Sequence, residues 1–408
     1  MIRLSAHRPW LTVACLSGLI SFPSASDAAS LRIGGLFSLT GALAAYGPTS
    51  QNGAMLAISE INKAGGVLGE EVAFTSLDDQ TNPQSGVQAA KTLLHTDKVD
   101  AIIGPMSSSV YLAVANSVTI PAQIPLISGS ASAAVISSLD SKGFTFRTVP
   151  SDTAQAAALA DIAHEKGFDS LGVLYMNDAY GKGLADGVAA AFAKLGGKVR
   201  GSLPFTSGQI SFRSNIEKIA RTGPDALMVI AYPGDGQPIV RQALDGGNFN
   251  QFLLSDGMKL PNLARDLGAQ FLNGTAGTTA FIAPDAPSTK AFLAAYHAAY
   301  HQEPNFPYGD SSYDAVMAVA LAAEIARSTH GPALRDALHK IADNTGETVG
   351  PGDFAKAKHL IAAGKPIHYI GASGTVAFDA HGDVTRPFEH WEIQDGGIQH
   401  KRIITPKP

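Results

Sequence analysis

The chain has 408 residues, 45% of them hydrophobic and 16% charged, an ordinary globular composition that supplies two or three cores of typical domain size rather than one. Its formal charge of −5 is spread along the sequence without a long basic run, which excludes a nucleic-acid-binding stripe or a polybasic anchor for acidic lipid. Cys15 is the only cysteine and lies in an apolar run near the start, so the rest of the chain offers no disulfide, thiolate nucleophile or cysteine metal ligand.

Arg3 and Arg8 precede that apolar run, residues 10–22, and small residues dominate 24–29. The pattern predicts a secretory signal peptide over residues 1–28 and therefore a secreted protein. Ser17, Gly18 and Ser21 interrupt the run, which leaves it short of the about 20 apolar residues of a membrane span. Lipidation at Cys15 is disfavoured, because the apolar stretch before it is very short and signal-like sequence continues after it.

From Leu31 onward, short β-rich runs alternate with helix-length amphipathic runs, the pattern of parallel sheets covered by helices on both faces. Strands are expected at 31–37, 72–77, 101–104 and 125–128, with helices at 51–63, 85–95 and 110–117. Val149-Pro150-Ser151 marks a boundary, since the residue before proline resists helix and Ser151 or Asp152 can cap the helix that starts there. The arrangement then begins again. Strands fall at 170–175, 198–204, 226–231 and 252–255, and helices at 153–166, 182–195, 211–221 and 236–244. After 274–280 the pattern is mostly helical through 363. A hairpin-like tail comes last, with strands at 375–378 and 391–393 and a turn at 379–383.

In open parallel sheets, ligands bind beyond the carboxyl ends of the strands. The loop after 101–104 carries Ser107, Ser108 and Ser109, and the loop after 125–128 carries Ser130 and Ser132. Hydroxyls and free N–H groups at a helix start suit a carboxylate, and the same serines would equally serve as helix caps. In the second unit the strand ends run into Asp178 with Tyr180, into Tyr232 and into Asp256, an acid-and-aromatic set that suits an ammonium group. Signals for catalysis are weak. His297 and His301 have helical i, i+4 spacing without the acid of a metalloprotease motif, the glycine clusters match no nucleotide-binding fingerprint, and no serine elbow has a histidine partner. Asp78 and Asp79, adjacent before Asn82-Pro83, read as loop-shaping.

Several landmarks occur in order along most of the chain: Leu39-Thr40-Gly41 with Tyr46-Gly47, Glu60-Ile61-Asn62, Asp78-Asp79 with Pro83, and Ile103-Gly104 through Ser109. Further on come Tyr180-Gly181-Lys182-Gly183, Arg241-Gln242-Ala243, and Phe378-Asp379 with Gly382-Asp383. In these the chain resembles the periplasmic leucine/isoleucine/valine-binding protein family, the extracellular receptors of branched-chain amino acid ABC transporters. The resemblance implies an α/β fold of two Rossmann-like lobes with parallel sheets, three crossovers and a ligand cleft between the lobes. Lobe 1 would take residues 30–148 plus 279–370, and lobe 2 residues 150–277 plus 375–408. It places the family's carboxylate-binding serine on Ser107, with Ser108 the neighbouring alternative, and further carboxylate contacts on Ser130 and Ser132. The second-lobe tyrosine falls on Tyr180, the ammonium-binding acid on Asp256, and pocket-shaping tyrosines on Tyr46, Tyr308 and Tyr232.

Two departures stand out. The first-lobe disulfide of some members cannot form, since Thr81 and Met106 occupy those regions, and a longer helical insert at about 350–365 resembles the subgroup of amino-acid-type or hydrophobic solute receptors, which does not imply strict branched-chain specificity. The resulting expectation is a non-enzymatic solute-binding protein without cofactor or metal, holding an aliphatic or branched-chain amino acid and delivering it to a membrane permease. The same clamp could hold an aromatic carboxylate, a short amide or urea, or serve a sensory receptor.

Overall fold

The computed structural model describes residues 1–2, 30–304 and 307–405; Cys15 and nearly all of the expected signal peptide lie outside them. The first half runs β1 (Arg32–Phe37), α1 (Gly47–Lys63), β2 (Ala73–Asp78), α2 (Pro83–His95) and β3 (Ala101–Ile103). A continuous helix comes next as α3 (Ser108–Val114), a wider π turn (Ala115–Thr119) and α4 (Ile120–Ala122), then β4 (Leu126–Ser128) and β5 (Thr145–Arg147). All pairings in this sheet are parallel, in the order β2-β1-β3-β4-β5. Its central strands are covered on both faces, so they read as unbroken apolar runs such as Ala101-Ile102-Ile103, all fully buried. Asn82 starts α2 by accepting hydrogen bonds from the N–H groups of Gln84 (2.9 Å) and Ser85 (3.1 Å), with Pro83 at the first helical position.

The second half repeats the plan with α5 (Asp152–Glu165), β6 (Ser170–Met176), α6 (Ala179–Lys194), β7 (Lys198–Phe205), α7 (Arg213–Ala220), β8 (Ala226–Ile230), α8 (Pro233–Asp245) and β9 (Phe252–Leu254). Two short helices, α9 (Leu263–Leu267) and α10 (Ala269–Leu272), lead to β10 (Ala276–Ala280). The chain then crosses to α11 (Pro287–Tyr300) and the almost wholly buried α12 (Gly309–Ala326), which packs on α1 and on the first sheet. Gly53 makes that packing possible, because a Cβ there would lie 1.9 Å from the Gly309 carbonyl oxygen. After α13 (Gly331–Leu338) come β11 (Glu347–Val349), α14 (Phe354–Ala362), β12 (Ile367–Gly371) and β13 (Gly374–Thr375), so the expected insert holds a helix flanked by the strands of a small three-stranded sheet. The last crossing returns β14 (Phe388–Gln394) and β15 (Gly397–Ile404) to the second sheet, ordered β15-β14-β10-β9-β8-β6-β7, in which the β10–β14 and β14–β15 pairings are antiparallel and the others parallel. The architecture is therefore two parallel-sheet lobes linked by three crossovers.

Two expectations are corrected. β5 has no counterpart in the sequence reading: it is three residues long and ends in Arg147, a charged residue that is fully buried because its guanidinium binds Asp383 at 2.7 Å and 2.9 Å. The tail is also not one hairpin. The turn at 379–383 forms, with Asp379 N–H donating to the Asp383 carbonyl at 2.9 Å, but it docks on β5 through a hydrogen bond from Arg147 N–H to the Gly382 carbonyl. Thr375 pairs with β12, and β14 pairs with β10 and β15.

Candidate functional site

The carboxyl ends of β3 and β4 face those of β6, β8 and β9 across the gap between the lobes. After β3 the chain turns at Gly104 (φ +101°), where a Cβ would lie 2.0 Å from the Leu36 carbonyl oxygen; only glycine lets the serine loop start that close to β1. Ser128, at the end of β4, accepts from the N–H groups of Ser130 (3.1 Å) and Ala131 (2.8 Å) and donates to the Pro105 carbonyl at 2.6 Å. Ser130 donates to the Met106 carbonyl at 2.9 Å, and Ser108 accepts from Ala133 N–H at 3.2 Å. The two serine loops are thus tied into one polar wall, whose first-turn N–H groups from α3 have no partner within their own helix.

The opposite wall is built around Asp256. The Tyr180 hydroxyl donates to its Oδ1 at 2.6 Å, and Gln155 Nε2 donates to the same oxygen at 3.0 Å. From the other lobe, Tyr308 donates to Oδ2 at 2.7 Å, and Tyr46 donates to the next carbonyl, Gly257, at 3.1 Å. Tyr46 and Tyr308 meet edge to face at 5.6 Å, while Tyr180 stacks on Tyr232 at 5.4 Å with 11° between the ring planes. Asp178 caps α6 through Gly181 N–H (2.7 Å) and lies 3.5 Å from the Tyr232 hydroxyl. Ser109 accepts from Ala179 N–H at 3.0 Å, a further bond between the lobes.

These walls bound a narrow cavity that their own side chains nearly fill, leaving about 10 Å³. Ser108, Ser130, Ser132, Tyr180, Tyr232, Asp256 and Tyr308 all line that space, joined by Leu43, Met106 and Gly257; no lysine or arginine is among these described residues. Tyr46 stands behind Tyr308. Ser107 is placed differently: it lines the adjoining mouth of the cleft with Ser109, Asp178 and Tyr232. Of the two neighbouring serines, Ser108 is the one that reaches the cavity. A wider, more apolar hollow between β10, α11 and β15 opens beside the end of β10 and gathers none of these residues.

Burial pushes the phenols of Tyr46, Tyr180 and Tyr308 well above the ordinary tyrosine range, and the nearby Asp256 charge adds to it. Tyr232 is raised in the same way by burial and then by Asp178. All four are therefore hydrogen-bond donors at neutral pH. Burial also lifts Asp178 to about 6. Asp152, at the start of α5, is raised by burial and by the Asp256 charge; the adjacent Ser132 hydroxyl and Arg147 offset this only in part. Neither carboxylate oxygen of Asp152 makes a hydrogen bond of ordinary geometry.

Gln155, which bonds Asp256, and Asp152 one turn before it on α5 were not expected in this neighbourhood. The available signal was two polar residues at i, i+3 on an otherwise alanine-rich helix directly after the boundary at Pro150. Asp78 and Asp79, by contrast, shape a loop: Asp78 accepts from the N–H groups of Leu39, Thr40 and Gln80, and Asp79 from Ser38 and Thr81.

A family model described as periplasmic binding protein matches residues 30–367. The chain belongs to that family. Leu/Ile/Val-binding protein homolog 3 of Brucella melitensis is 30% identical over 95% of this chain and 98% of its own length. The chemotactic signal transduction system substrate-binding protein BasB of Halobacterium salinarum is 27% identical, covering 92% and 89%. Among solved structures, the leucine binding protein LivK of Thermotoga maritima superposes with a TM-score of 0.78 at 25% identity, covering 92% of this chain and 99% of that one. This periplasmic binding protein is accordingly of the ABC-transporter type, a family of solute-binding proteins. Among its described residues no helix is long and apolar enough to cross a membrane.

Proposed function

We propose that this periplasmic binding protein clamps an aliphatic or branched-chain amino acid between its lobes and hands it to a membrane permease, with lobes drawn at residues 30–148 plus 279–370 and 150–277 plus 375–408. The observation that carries the reading is Asp256: a cleft carboxylate aimed at a polar serine wall, with no cationic side chain among its described neighbours in the cavity. The ligand carboxylate docks on Ser108, Ser130 and Ser132 and the first-turn N–H groups of α3. Its ammonium group takes the remaining acceptor position on Asp256, and the tyrosine rings with Leu43 and Met106 cover its side chain. Because Tyr180 and Tyr308 reach Asp256 from different lobes, the bound ammonium sits where the two lobes meet, and its contacts favour the closed form.

A plain aromatic carboxylate would place a second negative charge beside Asp256, whereas a short amide or urea could donate to it. A thermal-shift screen of ligand-stripped protein separates these classes, since a ligand that binds the native state raises Tm by mass action. Aliphatic amino acids are expected to stabilise; a response only to ligands lacking an amine would overturn the assignment. The similarity to BasB favours a second use of the same clamp, presenting its closed form to a chemotaxis receptor instead of a permease. Pull-down of membrane extracts with the amino-acid-loaded protein distinguishes the two, permease recovery supporting transport and receptor recovery supporting sensing.

A further inference from the structure

Leu43 and Met106 are the aliphatic side chains of the cavity lining, and both are buried. Leu43 lies between β1 and α1 and Met106 between β3 and α3, so both stand beside the serine wall on which the ligand carboxylate docks. The space left between the walls is about 10 Å³, close to what a single water needs. An aliphatic side chain therefore enters this cleft only if lining side chains give way as the lobes part.

The hydrogen bonds decide which of them yields. Tyr180 and Tyr308 are held on Asp256 at 2.6 Å and 2.7 Å, Tyr232 is stacked on Tyr180, and the Ser130 hydroxyl is committed to the Met106 carbonyl at 2.9 Å. Leu43 sits on a pinned loop. Its N–H donates to Thr81 Oγ1 at 3.2 Å, and that hydroxyl donates to the Thr40 carbonyl at 3.0 Å. Two residues earlier, Gly41 (φ +83°) lies so close to the Gln80 carbonyl oxygen that a Cβ would come within 2.3 Å of it. Met106 is anchored only through its backbone. An unbranched thioether needs no hydrogen-bond partner, turns about three bonds and fills irregular gaps at little cost.

We propose that Met106 is the specificity-determining residue of the clamp: its side chain holds the space that the ligand side chain enters and refolds to fit it, while Leu43 is a fixed stop, so that the cleft accepts apolar side chains of several shapes rather than one. The proposal deepens the amino-acid reading and rests on it for the head group of the ligand, whereas the fit of the side chain is a property of the cavity wall.

The test is calorimetric titration of the parent protein, Met106→Ile and Met106→Ala with L-valine, L-leucine, L-methionine and L-phenylalanine. The readout is the ratio of Kd values within each protein, because a merely structural effect of a substitution weakens every ligand alike and leaves the ratios unmoved. The parent is expected to bind valine, leucine and methionine within about tenfold of one another. Branching at Cβ stiffens the side chain, so Met106→Ile should weaken leucine and methionine relative to valine by at least about tenfold. Met106→Ala removes most of the adaptable wall and should improve phenylalanine relative to valine by at least about tenfold. Either variant decides alone where the other does not fold, and parental ratios in a folded variant would overturn the proposal. So would a parent that prefers one of the three aliphatic ligands by about 100-fold or more. Repeating the series with 3-methylbutanamide, 4-methylpentanamide and 3-phenylpropanamide, which lack the amine, separates the two ideas. A parent that binds only the amides contradicts the amino-acid reading and leaves their ratios to decide the role of Met106; a parent that binds neither series contradicts both.

Discussion

Asp178 combines two roles that pull in different directions with pH. It caps α6 through Gly181 N–H, and burial raises its carboxyl to about 6 from the ordinary aspartate value of 3.8. The folded state therefore binds this proton more tightly than the unfolded chain does. That contribution to stability is complete below about pH 4 and is lost as the pH rises through about 6. Asparagine is an equally good N-cap and carries no charge. Asp178→Asn is expected to gain about 1–3 kcal/mol at pH 8 and almost nothing at pH 4, read from urea unfolding at the two pH values. An equal gain at both would show that burial of the charge is not the cause. At this scale much of the site was legible: serines and tyrosines at strand ends stand out because loops after parallel strands have few other reasons to collect them. Gln155 was not, because its role is defined by Asp256, 101 residues away, and no local pattern marks such a pairing. The choice between Ser107 and Ser108 was equally hidden, since it depends on how Gly104 aims the loop.

Among the elements, the strands with unbroken apolar runs were found nearly at their true limits, since burial on both faces leaves an unmistakable composition. What escaped was set by distant partners. β5 exists because β4 offers an edge and Asp383 neutralises Arg147. The register of the tail is dictated by β10, whose Gly277 leaves room for the Trp391 ring: a Cβ there would come within 2.3 Å of it. The packing of α12 on α1 depends on a similar absence at Gly53. Gly53→Ala should therefore separate the helices and destabilise the protein by about 1–3 kcal/mol in chemical denaturation, although alanine favours helix at an unconstrained site. A neutral or stabilising result would mean that the two helices have slack the structure does not show.

For the whole molecule, three crossovers join the lobes, and the closed arrangement is held by contacts the protein makes itself, chiefly Tyr308 to Asp256, Tyr46 to Gly257 and Ala179 to Ser109. Removing one hydroxyl from this set should shift the population toward the open form without changing either lobe. Tyr308→Phe is expected to broaden the inter-lobe distance distribution of the ligand-free protein, measured by paired fluorophores on α2 and α7, and to weaken amino acid binding by about tenfold, the worth of one hydrogen bond to a charged group. Unchanged distances with unchanged affinity would remove Tyr308 from the clamp. The central claim is that Asp256 receives an ammonium group, and calorimetric comparison of L-leucine with its deaminated analogue, 4-methylpentanoate, tests it most directly. The parent protein should prefer leucine by at least about 100-fold and Asp256→Asn should lose most of that preference; a parent that binds the two alike, or a variant that keeps the full preference, would contradict the account.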